Sequence, residues 1–422
     1  MPNTVLNPTI IAKAAVRILE NELVMAGKCF RGYENEFDKK VNGYDIGDTC
    51  TVRKPNQFTV RTGTTASIQD VTEGKQTFTV NTVKGVDFSF SSTDLTLKIS
   101  ELSERVIKPA MIQLANEVDA DLMTLFPGVQ NWVGQPATGA DAAVDSFAKL
   151  ARAAERLDEL GVPKSDRCAI LAPNSHWGLA GSATALYMQG IAKDAYRRGS
   201  LGDIASFDTY MSQNIPTYTA GTGADAAALV NGAAQQVTYA AVKDTEAVPG
   251  LQNLITDTWG ASTTITAGTV FTIAGVFAVN PVSKATLPFL RQFTVQALVT
   301  ADGAGNATLS IAPAIIISGA FQTVSAAPAD NAALTVAGAA STPYRQNLAF
   351  HKNAFGLVMV PMVKPPGAVS VTRQSYKGVN VRLIPYYDGT NDNSSWRLDI
   401  LYGKKLIDGR LAARVTGGSG SI

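Results

Sequence analysis

From Gly221 to Pro343 the chain carries only nine charged side chains, although charged residues make up 17% of the whole. They are Asp225, Lys243, Asp244, Glu246, Asp257, Lys284, Arg291, Asp302 and Asp330. The same stretch keeps its β-branched and aromatic residues, so this composition shift marks a second module inserted into a first. Alternating runs such as Thr269–Ala274 and Gln292–Val299 predict strands, and Asp302–Asn306 predicts the turn after them. The insert therefore reads as all-β, with helices before it and further strands after it.

A length of 422 residues allows two or three domains with sizeable cores. A hydrophobic fraction of 45% places the chain among folded proteins. The formal charge of +1 supplies no global attraction to nucleic acid or to acidic lipid. Cys29, Cys50 and Cys168 are widely spaced and form no C-x-x-C pair, so free buried thiols are expected rather than a disulfide framework. No signal-peptide pattern opens the chain and no apolar run reaches membrane-spanning length, which fits a reducing cytoplasm as the place of synthesis.

Asn7–Pro8 predicts a helix start with Asn as N-cap and Pro in the first turn. Ile11, Ala15, Ile18, Glu22 and Met25 then share a row, with Gly27 as the stop. That row suits either a partner surface or packing on its own domain. Between Asp48 and Asp94 the pattern turns to strands. Phe78, Val80, Val86, Phe88 and Phe90 occupy alternate positions and give a ribbon one apolar face. An earlier strand around Cys50 and Val52 is separated from it by a polar loop bearing Arg53, Lys54, Arg61, Asp70 and Glu73. Such a ribbon is marginal alone in water and would be stable lying on another subunit; a solvated hairpin is the alternative.

A long helix is expected over roughly Ser100–Phe126, with Pro109 as either a kink or the true first turn. An α/β segment follows: a helix over Asp141–Leu160, a buried strand from Cys168, a second helix near Trp177, and an extended run from Ile204. After the insert come Asn347–Phe355, an apolar strand over Gly356–Val363, and two alternating strands joined by Asp388–Asn393 as a hairpin.

Catalytic signatures are sparse. His176 and His351 are far apart, and no G-x-S-x-G elbow surrounds Ser175; His176 is expected to pack beside Trp177. No Cys/His cluster has zinc-ligand spacing, and Gly303–Gly305 lacks the rest of a phosphate loop and reads as a hairpin turn. Glu117, Asp119 and Asp121 read as a solvated helix face. Arg197–Arg198 and Lys404–Lys405 are too short for nucleic-acid readout. Neither an enzyme nor a cofactor is expected.

The order of parts resembles a tailed-bacteriophage major capsid protein of the Hong Kong 97 type, and within it the P-twenty-two-like coat proteins with an inserted β-barrel. The likeness rests on the Lys54–Pro55 start of the ribbon, the Arg105–Met111 helix, Asp194–Ser200 before Gly202–Asp208, Asn347–Phe355, and the closing Trp396–Gly403. It implies an α+β fold with an N-terminal arm (1–45), an extended loop with flanking strands (46–95), and a spine helix in a peripheral domain (96–139). An axial domain (140–220), the inserted β-barrel domain (221–345), and a return through axial and peripheral strands (346–422) complete it.

The resemblance further implies self-assembly as pentamers and hexamers, a scaffolding protein and portal as partners, non-specifically packaged double-stranded DNA, and a possible decoration protein, in a virion made in the host bacterial cytoplasm. No membrane partner is expected. Arg53, Lys54, Arg61, Asp70 and Glu73 are the candidate inter-subunit contacts, and no crosslinking Lys–Asn pair is identifiable. An encapsulin-like nanocompartment, or a β-rich binding or adhesion protein using the aromatic residues of the insert, are the competing readings.

Overall fold

The computed structural model describes residues 12–13, 15–19, 23–32, 40–41, 44–45, 49–53, 56–61, 63–66, 68–69, 71, 75–91, 106–135, 142–185, 201–239, 250–365, 371–376 and 379–418. Two compact units form. One comprises residues 1–50, 78–122 and 356–405, the other residues 51–77, 123–355 and 406–422.

The first unit is built on a five-stranded sheet. Its longest strand, Asn393–Leu406, pairs antiparallel with both Val379–Asp388 and Thr82–Ser91. Strand Thr372–Tyr376 extends the sheet beyond Val379–Asp388, and Phe355–Val360 joins it on the other side. The alternation read from sequence fixes the register: Phe88 lies opposite Trp396 and Val86 opposite Leu398, with the Phe88 and Trp396 rings stacked at 6.2 Å. The expected hairpin turn is present, and Asp388 Oδ1 accepts the Thr390 N–H at 3.0 Å.

Helix α1 (Lys108–Met123) belongs to the same unit and buries Met111, Leu114, Ala115, Val118 and Leu122. It is shorter than the sequence pattern predicts. Pro109 is the second residue of this α-helix, directly after π-helical residues 106–107, and residues 92–105 lie outside the described residues. The helix stops at Met123, and Phe126–Gly128 forms a separate 3-10 turn. The N-terminal helical residues bury Ala12, Val16 and Leu19, which lie off the predicted row; of that row Ala15 and Met25 are buried and Ile18 is half-buried. Asn7, Pro8, Ile11 and Glu22 lie outside the described residues.

In the second unit a mixed six-stranded sheet runs in the order Asn131–Val133, Ala412–Val415, Asn347–His351, Arg167–Leu171, Phe207–Met211 and Asp203–Ile204. Helices α2 (Phe147–Glu159) and α3 (Pro173–Ala185) accompany it. Leu150, Ala153 and Leu157 of α2 join Leu171, Ala349, Ala413 and Val415 in one core. The predicted helix start at Asp141 is displaced to Ser146, which takes the N-cap position. The extended run from Ile204 is a tight hairpin, with Ala205 and Ser206 at φ 51° and 63°. The strand expected over Gly356–Val363 spans Phe355–Val360. Residues 186–200, including the Asp194–Ser200 segment of the resemblance, lie outside the described residues.

The insert is a β-barrel. Its strands are β1 (Leu229–Val230), β2 (Gln252–Asp257), β3 (Val270–Val279), β4 (Thr286–Val295), β5 (Ala307–Ala312) and β6 (Leu334–Val336). They pair in the order β1-β2-β5-β4-β3-β6. Hydrogen bonds from Leu334 N to Ala228 O (2.9 Å) and Val230 N to Ala332 O (3.0 Å) return from the last strand to the first and close the ring. Leu254, Trp259, Phe271, Phe293, Leu309 and Ile311 fill the interior, whereas Tyr239, Phe289 and Phe321 are half-buried and Phe277 is 38% exposed, so fewer of the insert's aromatic residues are core than the alternation suggests. Asp302 shapes the predicted turn by accepting the N–H groups of Ala304 and Asn306, each at 2.8 Å.

Candidate inter-subunit surface

The loop between strands Thr49–Arg53 and Lys75–Thr79 exposes several apolar side chains among its described residues. Those two strands form a two-stranded stem, and Gln76 Nε2 anchors the base by donating to Leu406 O at 3.0 Å. Beyond the stem no strand ladder continues among the described residues. The Gln69 side chain takes over that role. Its Oε1 accepts the Thr59 N–H at 2.8 Å, and its Nε2 donates to Thr59 O at 2.6 Å, so one amide replaces a strand partner.

Four large apolar side chains stand out from this loop: Phe58 (56% exposed), Val60 (97%), Ile68 (96%) and Val71 (67%). Scattered exposed hydrophobics are ordinary, but four on one short, ladderless loop mark a surface that gains from being covered. Sequence reasoning weighed the charges of this loop and missed these residues. Their signal was the pair Phe58 and Val60 in alternation inside a stretch otherwise read as polar.

Of the charged contacts predicted from sequence, Arg53 and Arg61 are described and both are exposed. Arg61 donates from Nη1 to Gly63 O and to Thr65 O (the latter at 3.2 Å), so it braces the tip of its own loop. Lys54, Asp70 and Glu73 lie outside the described residues.

The residues screened for chemistry are otherwise engaged. Ser175 Oγ accepts the Val144 N–H at 3.1 Å, and the His176 ring meets Trp177 edge-on at 5.8 Å, as expected. The acidic row of α1 is not a solvated face. Glu117 and Asp121 pair with Lys84 at 2.7 and 4.0 Å, and Asp121 also meets Lys404 at 3.5 Å. The Tyr402 hydroxyl donates to Asp121 at 2.5 Å; burial first, then this bond, pushes that phenol far above its usual range. Asp119 is buried. Among the described residues no group of three or more His, Cys, Asp or Glu is placed to hold a metal. Cys29 and Cys168 are buried and Cys50 is half-buried, and none of the three is in a disulfide.

The barrel is fastened into its unit by polar contacts. Strand Thr217–Thr219 pairs with Pro343–Arg345 across the base of the insert. Gln292 forms a two-way bridge to the Trp132 backbone (2.8 and 2.9 Å), and Thr294 Oγ1 donates to Pro127 O at 2.8 Å. The buried Arg414 guanidinium donates to Gly268 O at 2.8 Å and lies 5.4 Å from the Trp132 ring centre. Burial without a carboxylate partner lowers its pKa to about 9.

The chain belongs to the P22 coat protein family, whose description (P22 coat protein, gene protein 5) matches residues 3–413. The major capsid protein of Acyrthosiphon pisum secondary endosymbiont phage 1 is 23% identical over 378 residues, covering 85% of this chain and 86% of the relative. Among solved structures, one from Mycobacterium phage Che8 aligns at TM-score 0.47 with 13% identity, over 93% of this chain and 90% of the other. The CUS-3 coat protein I-domain aligns at TM-score 0.20 with 24% identity, over 26% of this chain and 94% of that one. As a member of this family the chain is a phage major capsid protein, and the nanocompartment and adhesion readings are not favoured.

Proposed function

We propose that this chain forms the icosahedral shell around a double-stranded DNA genome, as pentamers and hexamers of identical subunits in which the 51–77 loop lies on an adjacent copy. The exposed quartet Phe58, Val60, Ile68 and Val71 carries this reading. Covering such side chains stabilises contact by about 25 cal/mol per Å² of apolar area, and a closed shell repeats the gain at every subunit. Arg53, with Lys54, Asp70 and Glu73, would set register through ion pairs with the neighbour, while Arg61 shapes the loop that presents them.

The remaining assignments follow the family. Residues 1–45 serve as the arm, 46–95 as the extended loop, 96–139 as the spine and peripheral domain, 140–220 as the axial domain, 221–345 as the inserted barrel, and 346–422 as the return. A scaffolding protein and portal guide assembly, DNA is held without sequence preference, and a decoration protein is an optional outer partner. The protein acts without catalysis or a cofactor, and it is made in the host cytoplasm before entering the virion. Electron microscopy of the purified chain mixed with its scaffolding partner tests the central claim. Closed shells are the expected result; a chain that stays monomeric at high concentration with that partner present would overturn it.

A further inference from the structure

Arg291, on β4, is a buried cation whose hydrogen-bonding capacity is unmet. It is 4% exposed, and its Nε has no hydrogen-bond partner. Two residues earlier on the same strand, the Phe289 ring carries the Arg156 guanidinium of α2 at 3.8 Å from its centre. Residues two apart on a strand share a face, so this stacking brings Arg156 alongside Arg291. Arg156 is itself buried and makes no ion pair among the described residues. Arg410, in the 3-10 turn Gly409–Leu411, is the second guanidinium acting on Arg291.

Counter-charge is short at this place. The field at Arg291 comes from Arg410, Arg156 and Asp408, two cations against one carboxylate. Asp408 is already committed: Arg410 donates to it from Nε (3.1 Å) and from Nη2 (2.6 Å). Glu155 and Glu159 act on Arg156 along its own helix but do not contribute at Arg291. A fourth cation, Lys284, is half-buried within range of Arg410; its ammonium donates a long hydrogen bond to Gln57 Oε1 at 3.4 Å. The turn bearing Lys284 is tied to α2, because Asn280 Oδ1 accepts the Val282 and Ser283 N–H groups while Asn280 Nδ2 donates to Glu159 O at 3.3 Å. Arg410 thus has its own carboxylate and Arg156 the acidic residues of its helix, while the Arg291 Nε is left without a partner.

Burying a guanidinium without a partner is strongly unfavourable, and planar guanidinium groups are matched to carboxylate and phosphate oxygens. We infer that Arg291, Arg156, Arg410 and Lys284 form an oxyanion-binding site, in which a phosphate or carboxylate group accepts from the unpaired Arg291 Nε and is enclosed by the other three cations. The site lies within one compact unit, so its occupancy by a free ion does not depend on the shell-forming role.

Calorimetric titration of the unassembled subunit with inorganic phosphate, and separately with acetate, at constant ionic strength tests this. Saturable binding of one ion per subunit is expected, accompanied by a rise in melting temperature. Arg291→Met, which keeps the apolar bulk, is expected to weaken binding at least tenfold. Lys284→Ala, at the half-buried edge where folding is not at stake, is expected to weaken it severalfold. Tighter binding of phosphate than acetate would identify a tetrahedral occupant, and the reverse a carboxylate. No saturable binding of either ion, or unchanged binding by both variants, would overturn the inference.

Discussion

Asp119, in the middle of α1, accepts the Val24 N–H at 2.7 Å through one carboxylate oxygen, and through the other it accepts the Ala26 N–H at 3.0 Å. The helix thereby fixes a turn that lies 95 residues earlier in the chain. Asp119→Ala leaves two backbone donors without their acceptor, and urea denaturation is expected to show a loss of about 3 kcal/mol.

The same carboxyl makes stability depend on pH. Burial raises it above the ordinary 3.8, and the N–H groups of Ala26, Val24 and Met25 only partly offset this. The folded state therefore holds this proton more tightly than the unfolded chain does. The resulting stability is fully present below the unfolded value and is lost as pH rises through the folded one. Asp119→Asn cannot titrate. The advantage of the wild type over this variant should shrink between about pH 4 and about pH 7, and urea midpoints at the two ends will show whether it does.

Arg414 holds Gly268 O with one nitrogen, while its Nε and Nη2 have no hydrogen-bond partner. Arg414→Met removes a desolvated charge but keeps the bulk against Trp132, so thermal unfolding should change by no more than about 1 kcal/mol. Arg414→Ala opens a cavity at the same place and should lose about 3 kcal/mol.

Gly221, at the base of the insert, has φ −68° and ψ 167°, a conformation open to any residue. Space is what requires glycine there: a Cβ would stand 2.1 Å from Thr264 O. Gly221→Ala is expected to destabilise the subunit by about 3 kcal/mol through forced backbone movement. Limited proteolysis should then cut near residues 221 and 264 faster than in the wild type.

Val60→Asp combined with Ile68→Asp separates folding from assembly. Both side chains are almost fully exposed in the subunit, so its melting temperature should move by less than about 2 °C. Sedimentation under conditions where the unaltered chain forms shells should show subunits and no shells. Normal shells from this variant would mean that the loop does not carry the contact.

The barrel strands and the 379–406 hairpin were legible because alternation of β-branched and aromatic residues is local, and their registers repeat it in space. Helix α1 was recognised but overextended, since an apolar four-residue rhythm does not mark where the hydrogen bonding changes at Met123. Asp119 was misread as solvated because nothing near it in sequence announces the Val24 and Ala26 donors. The loop surface was half legible: its charges were noticed, while Val60 and Ile68 escaped because isolated aliphatics among threonines form no pattern. Arg291 and Arg414 were invisible as buried cations, since a single arginine in a strand looks like its water-facing residue.

The return of β6 onto β1 has a consequence for a protein that must meet many copies of itself. A row of unpaired strand amides would invite any neighbouring strand to add on, and growth by that route has no natural end. Among the described residues, the ring of Leu229–Val230 through Leu334–Val336 leaves no such row in the barrel sheet. Whatever the barrel touches in the particle must be recognised through its turns and side chains, which is a contact that saturates.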